Sequence, residues 1–262
     1  MSASTSKAHR EFLPSTNQAL AELEQQSGHP VLLVDDPDLV FLASISRAGP
    51  GQSSHILRLK GEKTEEVDYL ITSQCRMVLR GIAAADGSAQ VAEKRHIREK
   101  VISEFEKLHK SLPLAKAREI GKFTYNGLIV QLRSMGPGMP VDLWIQEHCP
   151  DLREAQARSI EAQINNNLGI LDGGSRAGFP PQIFKASVSM NAAYAVFGGD
   201  LLGKPYLSVP YVSHGYGDIA RKLIRIALGE TSDPLGITDR EIIDAWAGEL
   251  GISGWYDWIQ AE

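Results

Sequence analysis

Thr64–Ala84, read TEEVDYLITSQCRMVLRGIAA, constrains this chain more than any other stretch. Val67, Leu70, Ile71, Cys75, Val78, Leu79 and Ile82 recur at three- and four-residue spacing, which predicts an amphipathic helix with a stripe wide enough to lie in a core. Thr64 is placed to cap its start, with Glu65 and Glu66 near the positive end of the helix dipole. Asp86-Gly87 is a turn pair that stops it. On such a helix Ser73 and Met77 share a face, with Gln74 beside them.

The segments before it predict a small sheet. Ser15–Gly28 reads as a helix with Ser15 as cap and Gly28 as stop. Pro30 then releases Val31-Leu32-Leu33-Val34, an unbroken apolar run typical of a buried strand. Asp35-Asp36-Pro37-Asp38 offers carboxylates for Mg²⁺ or Ca²⁺, but is better read as a polar turn. Leu39–Ser46 and His55–Lys60 are two further strands, joined by the turn chemistry of Ala48-Gly49-Pro50-Gly51. A hairpin thus hands the chain to the Thr64–Ala84 helix.

A helix entered this way, with Ser73-Gln74-Cys75-Arg76-Met77 at its centre, resembles the active-site helix of IrrE-like zinc metallopeptidases, whose motif is H-E-x-x-H. Asp68–Ile71 before it and Val78-Leu79-Arg80 after it carry the resemblance, as does the order of elements. The family implies two zinc-binding imidazoles and a glutamate general base. Here those positions hold Ser73, Met77 and Gln74. Serine is a poor zinc ligand, a thioether prefers softer metals, and an amide accepts no proton. The resemblance also implies a third ligand on a later helix, and Glu161, with Asn165, Leu168 and Leu171, follows that pattern loosely. The expectation is therefore a degenerate scaffold with no metal and no cofactor.

The remaining chain reads as mostly helical. Val91–Leu112 is a charged surface helix with one apolar stripe, and Leu114–Met135 is another. Gly136-Pro137-Gly138-Met139-Pro140 should end that helix and is the best candidate for a domain boundary. Val141–His148 and Asp151–Leu171 are helical. Gly173–Gly178 reads as a flexible loop, without the G-K-[ST] of a phosphate-binding loop. Gln182–Leu202 is apolar around most of its circumference, so it forms either a buried centre or a surface for a protein partner or self-association. Lys204–Tyr211 reads as extended. Ser213–Asp218 is the most site-like loop, with His214 and Asp218 beside glycines. Thr238-Asp239-Arg240-Glu241 is a capping box, and the aromatic residues of 255–259 suggest a docked end.

These readings predict an α+β fold. A small three-stranded antiparallel sheet packs on helices, and the C-terminal half is mostly helical. Residues 1–14 form a disordered tail, 15–136 an α+β region and 141–262 a mostly helical region. Net charge of −5 argues against wholesale nucleic-acid binding. No apolar run is long enough for a membrane span. Two cysteines, Cys75 and Cys149, fit buried thiols in a reducing cytoplasm. Three functional readings follow. The first is a non-catalytic metallopeptidase-like domain that binds a protein or ligand. The second is a hydrolase or transferase using His214, Asp218 and Glu161. The third is a helical assembly protein.

Overall fold

The computed structural model describes residues 12–39, 42–49, 51–61, 64–84, 89–229 and 238–260. The Asp86-Gly87 stop, Pro50, Val40, Phe41 and residues 1–11 of the expected tail lie outside them. The chain divides into two compact units. One comprises the segment ending at Ser88 together with Val141–Ser159; the other comprises Ala89–Pro140 and Ile160–Gln260.

The first unit opens with α1 (Pro14–Ser27), which starts one residue before the expected cap. Ser15 does not cap it. Instead Asp151, from the second segment of the unit, accepts the Ser15 N–H at 3.0 Å. Gly28 closes the helix with φ of 72°, the left-handed geometry glycine adopts without penalty. Phe12 is already buried and the Leu13 N–H donates to Asp68, so order begins before residue 15.

Three strands follow: β1 (Val31–Asp35), β2 (Ala43–Ser46) and β3 (His55–Leu59). Their order is β1-β3-β2, with β2 antiparallel and β1 parallel to β3, so the sheet is mixed and not antiparallel throughout. The expected hairpin is the β2–β3 pair. His55, Leu57 and Leu59 are buried in β3, and α2 (Glu65–Ala83) buries Val67, Ile71, Cys75 and Leu79. All except His55 belong to one apolar cluster with Ala19 and Leu23 of α1.

β1 departs from expectation most. Its apolar run is not buried: it is an edge strand, and Leu32, Leu33 and Val34 are 52%, 43% and 42% exposed.

The second unit begins with β4 (Ala89–Glu93), where the charged sequence alone suggested only helix, followed by α3 (Arg95–Leu108). β4 pairs antiparallel with β5 (Tyr256–Gln260), so the aromatic end of the chain is held in a two-stranded sheet. Tyr125 reinforces it by donating to Trp255 O at 2.6 Å and accepting the Lys94 N–H at 3.0 Å.

α4 (Leu114–His148) is one helix of 35 residues and includes both Pro137 and Pro140, which were expected to end it. A proline inside a helix costs about 3 kcal/mol. Burial offsets that cost here: Met135, Gly136, Pro137, Met139 and Pro140 are all buried. A Cβ on Gly136 would lie 2.8 Å from Ile242 and 3.1 Å from the Trp246 ring, so the glycine admits α10 (Asp239–Leu250) closely. The second unit's first segment ends at Pro140, and Val141–Ser159 belongs to the first unit, so the units are not the two consecutive regions read from the sequence.

Beyond α5 (Arg153–Asn167) come α6 (Gly173–Gly178), where a loop was expected, and α7 (Pro181–Leu201). The segment expected to be extended is a 3-10 turn, Pro205–Ser208, followed by α8 (Val209–Ser213); α9 (Gly217–Leu228) comes next. The apolar circumference of α7 is consumed by the core of its own unit, with Val188, Met190, Ala193 and Phe197 all buried, so it is a centre and not an exposed docking surface. Asp200, near its end, is exposed and needs no buried partner. Among the described residues no helix is long and apolar enough to cross a membrane.

Candidate functional site

Ser73, Gln74 and Met77 on α2 each have a defined environment in the first unit. Gln74 faces the free edge of β2. In that strand Leu42 turns its carbonyl toward β3, where the Lys60 N–H donates to it at 2.9 Å, so the peptides of Ala43 and Ile45 point outward. The Gln74 Nε2 donates to Ala43 O at 2.8 Å and its Oε1 accepts the Ile45 N–H. One side-chain amide thus acts as an extra rung on the sheet, covering an edge that would otherwise be open. A carboxylate could accept from Ile45 but could not donate to Ala43. Glutamine is the residue that suits this position.

Met77 is half-buried against an apolar cluster containing Tyr69, Val141, Ile145 and Leu152. Ser73 is half-buried on the same side of the helix. Between them Arg76 reaches Glu22, with Nη1 and Nη2 at 3.0 and 2.8 Å from its two carboxylate oxygens. The Arg76 guanidinium lies 3.5 Å above the Trp144 ring, and His148 stacks on Trp144 at 4.7 Å and 10°. Trp144 thus meets both a guanidinium and an imidazole at its ring.

Beneath lies a buried polar network. The Tyr69 hydroxyl donates to Asp142 at 2.6 Å, and Gln156 Nε2 donates to the Asp142 carbonyl at 2.7 Å. Asp68 accepts the Leu13 N–H at 2.7 Å, while its own carbonyl accepts from Thr16 and Thr72. These contacts tie α1, α2 and the Val141–Ser159 segment together. Arg158 closes the start of α2 by pairing with Glu65 and Glu66, each at 2.6 Å, which holds the Glu66 carboxyl below its ordinary range. Sequence reading missed Asp68 and Asp142. The one available signal was a carboxylate inside the apolar lead-in of the helix.

Burial raises the Cys75 thiol to about 12 and also raises Cys149, so neither is a thiolate nucleophile near neutral pH.

Glu161 belongs to the second unit, where Lys204 takes its carboxylate at 2.5 Å, and it is not gathered with Ser73 and Met77 into one unit. His214 and Asp218 are exposed and engaged locally. The His214 Nδ1 meets Pro210 O at 2.7 Å, and Asp218 pairs with Arg221 at 2.6 Å. Asp218 lies inside the first turn of α9 and does not cap it; Tyr216 holds that position. Among the described residues no group of three or more His, Cys, Asp and Glu side chains gathers to hold a metal. No protein-family model, curated protein or solved structure matches the chain.

Proposed function

We propose that this chain is a non-catalytic, partner-binding protein whose first unit carries an IrrE-like metallopeptidase scaffold with its metal-binding side converted to structural use. One observation carries this reading: the amide at the general-base position is committed to the edge of β2 through both its oxygen and its nitrogen. A residue so engaged is positioned to hold a sheet together, and glutamine has no proton-accepting form. The half-buried Met77 at the second ligand position points the same way.

The alternative of a hydrolase or transferase centred on His214 and Asp218 draws less support, because each side chain is exposed and bonded within its own turn. The alternative of assembly through 182–202 draws less as well, because that helix is spent on its own core.

Elemental analysis of the purified full chain, with a casein digestion assay, tests the proposal. The expected result is no stoichiometric zinc and no cleavage. One tightly held zinc per chain, or metal-dependent cleavage abolished in a Gln74→Ala variant, overturns it.

A further inference from the structure

The two edges of the first unit's sheet are treated differently. The β2 edge is covered by the Gln74 amide. The β1 edge is not. Pro30 O accepts from His55 and Asp36 N–H donates to Leu59, so even-numbered residues of β1 turn their peptides toward β3 and Val31, Leu33 and Asp35 turn theirs outward. Glu24 takes the Val31 N–H at 2.7 Å. Among the described residues nothing pairs with the peptide of Leu33. Around it stand Leu32, Leu33 and Val34, all substantially exposed and spread over both faces of the strand. An open apolar edge is a template for another strand, and proteins ordinarily blunt it with lysine, proline or a bulge. This one carries none of these.

We propose that β1 binds an extended segment of a partner protein by strand addition, and that this segment is apolar at its centre and carries Lys or Arg at its flanks. The idea rests on the partner-binding reading above and names the surface and the ligand chemistry. Charge selects the flanks. Glu24 stands at one end of the edge and Asp36 and Asp38 at the other, with Arg58 3.9 Å from Asp36. The same charges disfavour a second copy of this chain. A two-fold antiparallel pair centred on Leu33 would set each Asp35 opposite the other copy's Val31, beside its Glu24 and facing an N–H already taken. Size points the same way. The exposed apolar run Leu32–Val34 is three residues long, against about 20–30 residues a side in a standard stable interface. A short strand whose main chain supplies the bonds fits this edge; a globular copy does not.

The test uses the full chain and a fluorescein-labelled peptide, Arg-Val-Thr-Val-Thr-Val-Arg, with a control carrying Glu at both ends. Binding is read by fluorescence anisotropy. The Arg-flanked peptide should bind at least tenfold more tightly than the control. Leu33→Pro removes the outward N–H and the exposed leucine side chain without breaking a β1–β3 bond, so it should weaken binding at least tenfold with an unchanged far-UV spectrum and melting temperature. Val34→Lys keeps the backbone intact and serves if the proline variant fails to fold; it too should weaken binding tenfold. Equal affinity for both peptides, no binding of either, or binding indifferent to these variants overturns the proposal. So does a dimer in light scattering that Val34→Lys converts to monomer, since the occupant would then be a second copy. A metal-bearing, proteolytic chain that still takes the Arg-flanked peptide at β1 would defeat the functional reading while leaving the edge assignment standing. A metal-free chain that ignores both peptides would do the reverse.

Discussion

Replacing Gln74 by methionine keeps the length of the side chain and removes both of its polar atoms. The Ala43 carbonyl and the Ile45 N–H then lose their partners on the β2 edge. A neutral hydrogen bond contributes about 1 kcal/mol net, so the loss should be roughly 2 kcal/mol. For a chain of this size that lowers the melting temperature by about 4–8 °C. Gln74→Glu separates the two bonds. Above the carboxyl's pKa the side chain accepts from Ile45 but faces the Ala43 carbonyl with a second acceptor; with a proton bound it can again donate. The neutral form is therefore favoured in the folded state, and the folded pKa rises above the unfolded value of about 4.3. The folded state then binds more protons than the unfolded one between those two pKa values, so stability falls as pH rises through that window. Urea unfolding followed by far-UV circular dichroism at pH 4 and pH 7.5 reads this directly. Gln74→Met should be destabilised equally at both pH values relative to wild type. Gln74→Glu should be close to wild type at pH 4 and destabilised at pH 7.5. A Gln74→Glu variant as stable as wild type at pH 7.5 refutes the rung reading, and with it the structural reason for a glutamine at this position.

Other expectations concern packing and titration. Gly198→Ala should cost about 1–3 kcal/mol, because its Cβ would meet Ile160 at 2.8 Å and Ile164 at 3.0 Å; Gly127→Ala, with open space around it, should gain about 0.5–1 kcal/mol in the same unfolding assay. Tyr125→Phe should cost roughly 1–3 kcal/mol by stranding Trp255 O and the Lys94 N–H, whereas Tyr211→Phe should be neutral or stabilising, since its buried hydroxyl meets no partner among the described residues. His55 is held neutral: the Ala48 N–H donates to its Nδ1 at 3.0 Å, and burial, then the nearby His29 and Arg47, lower its pKa from 6.5. The unfolded chain then binds the proton more readily, so stability should fall as pH drops below about 6.5 and level off once the lowered folded pKa is passed. A His55→Gln chain should lose that component of the slope, measured as the difference in urea midpoints between pH 7.5 and 5.5.

What the sequence made legible follows from which signals are local. The periodicity of α2 marked a helix whose buried face matches its apolar stripe, and Gly28 and the Thr238–Glu241 capping box form as their local chemistry requires. Signals that depend on neighbours misled. Val31–Val34 looks the same at the centre of a sheet as at its edge, since the run records only an apolar strand; its position is set by β3 pairing on one side alone. Pro137 and Pro140 are breakers by local rule, yet the packing of Ile242 and Trp246 against Gly136 holds the helix through them. β4 was hidden because its partner β5 lies at the far end of the chain. Glu161, His214 and Asp218 were selected by residue type, and type alone does not distinguish a reactive group from one bonded within its own turn or to a neighbouring lysine.

The contrast between the two sheet edges joins these threads. Gln74 meets the sheet at the β2 edge. A side chain spent on closing the β2 edge cannot also activate water, while on the opposite edge Glu24 covers Val31 and, among the described residues, leaves the Leu33 peptide available to another strand. If catalysis were the role, the expected economy would run the other way: a free acid or base facing a cleft, and both edges blunted against stray pairing. The asymmetry is what a chain selected to recognise an extended segment would show, and it ties the fate of Gln74 to the openness of β1.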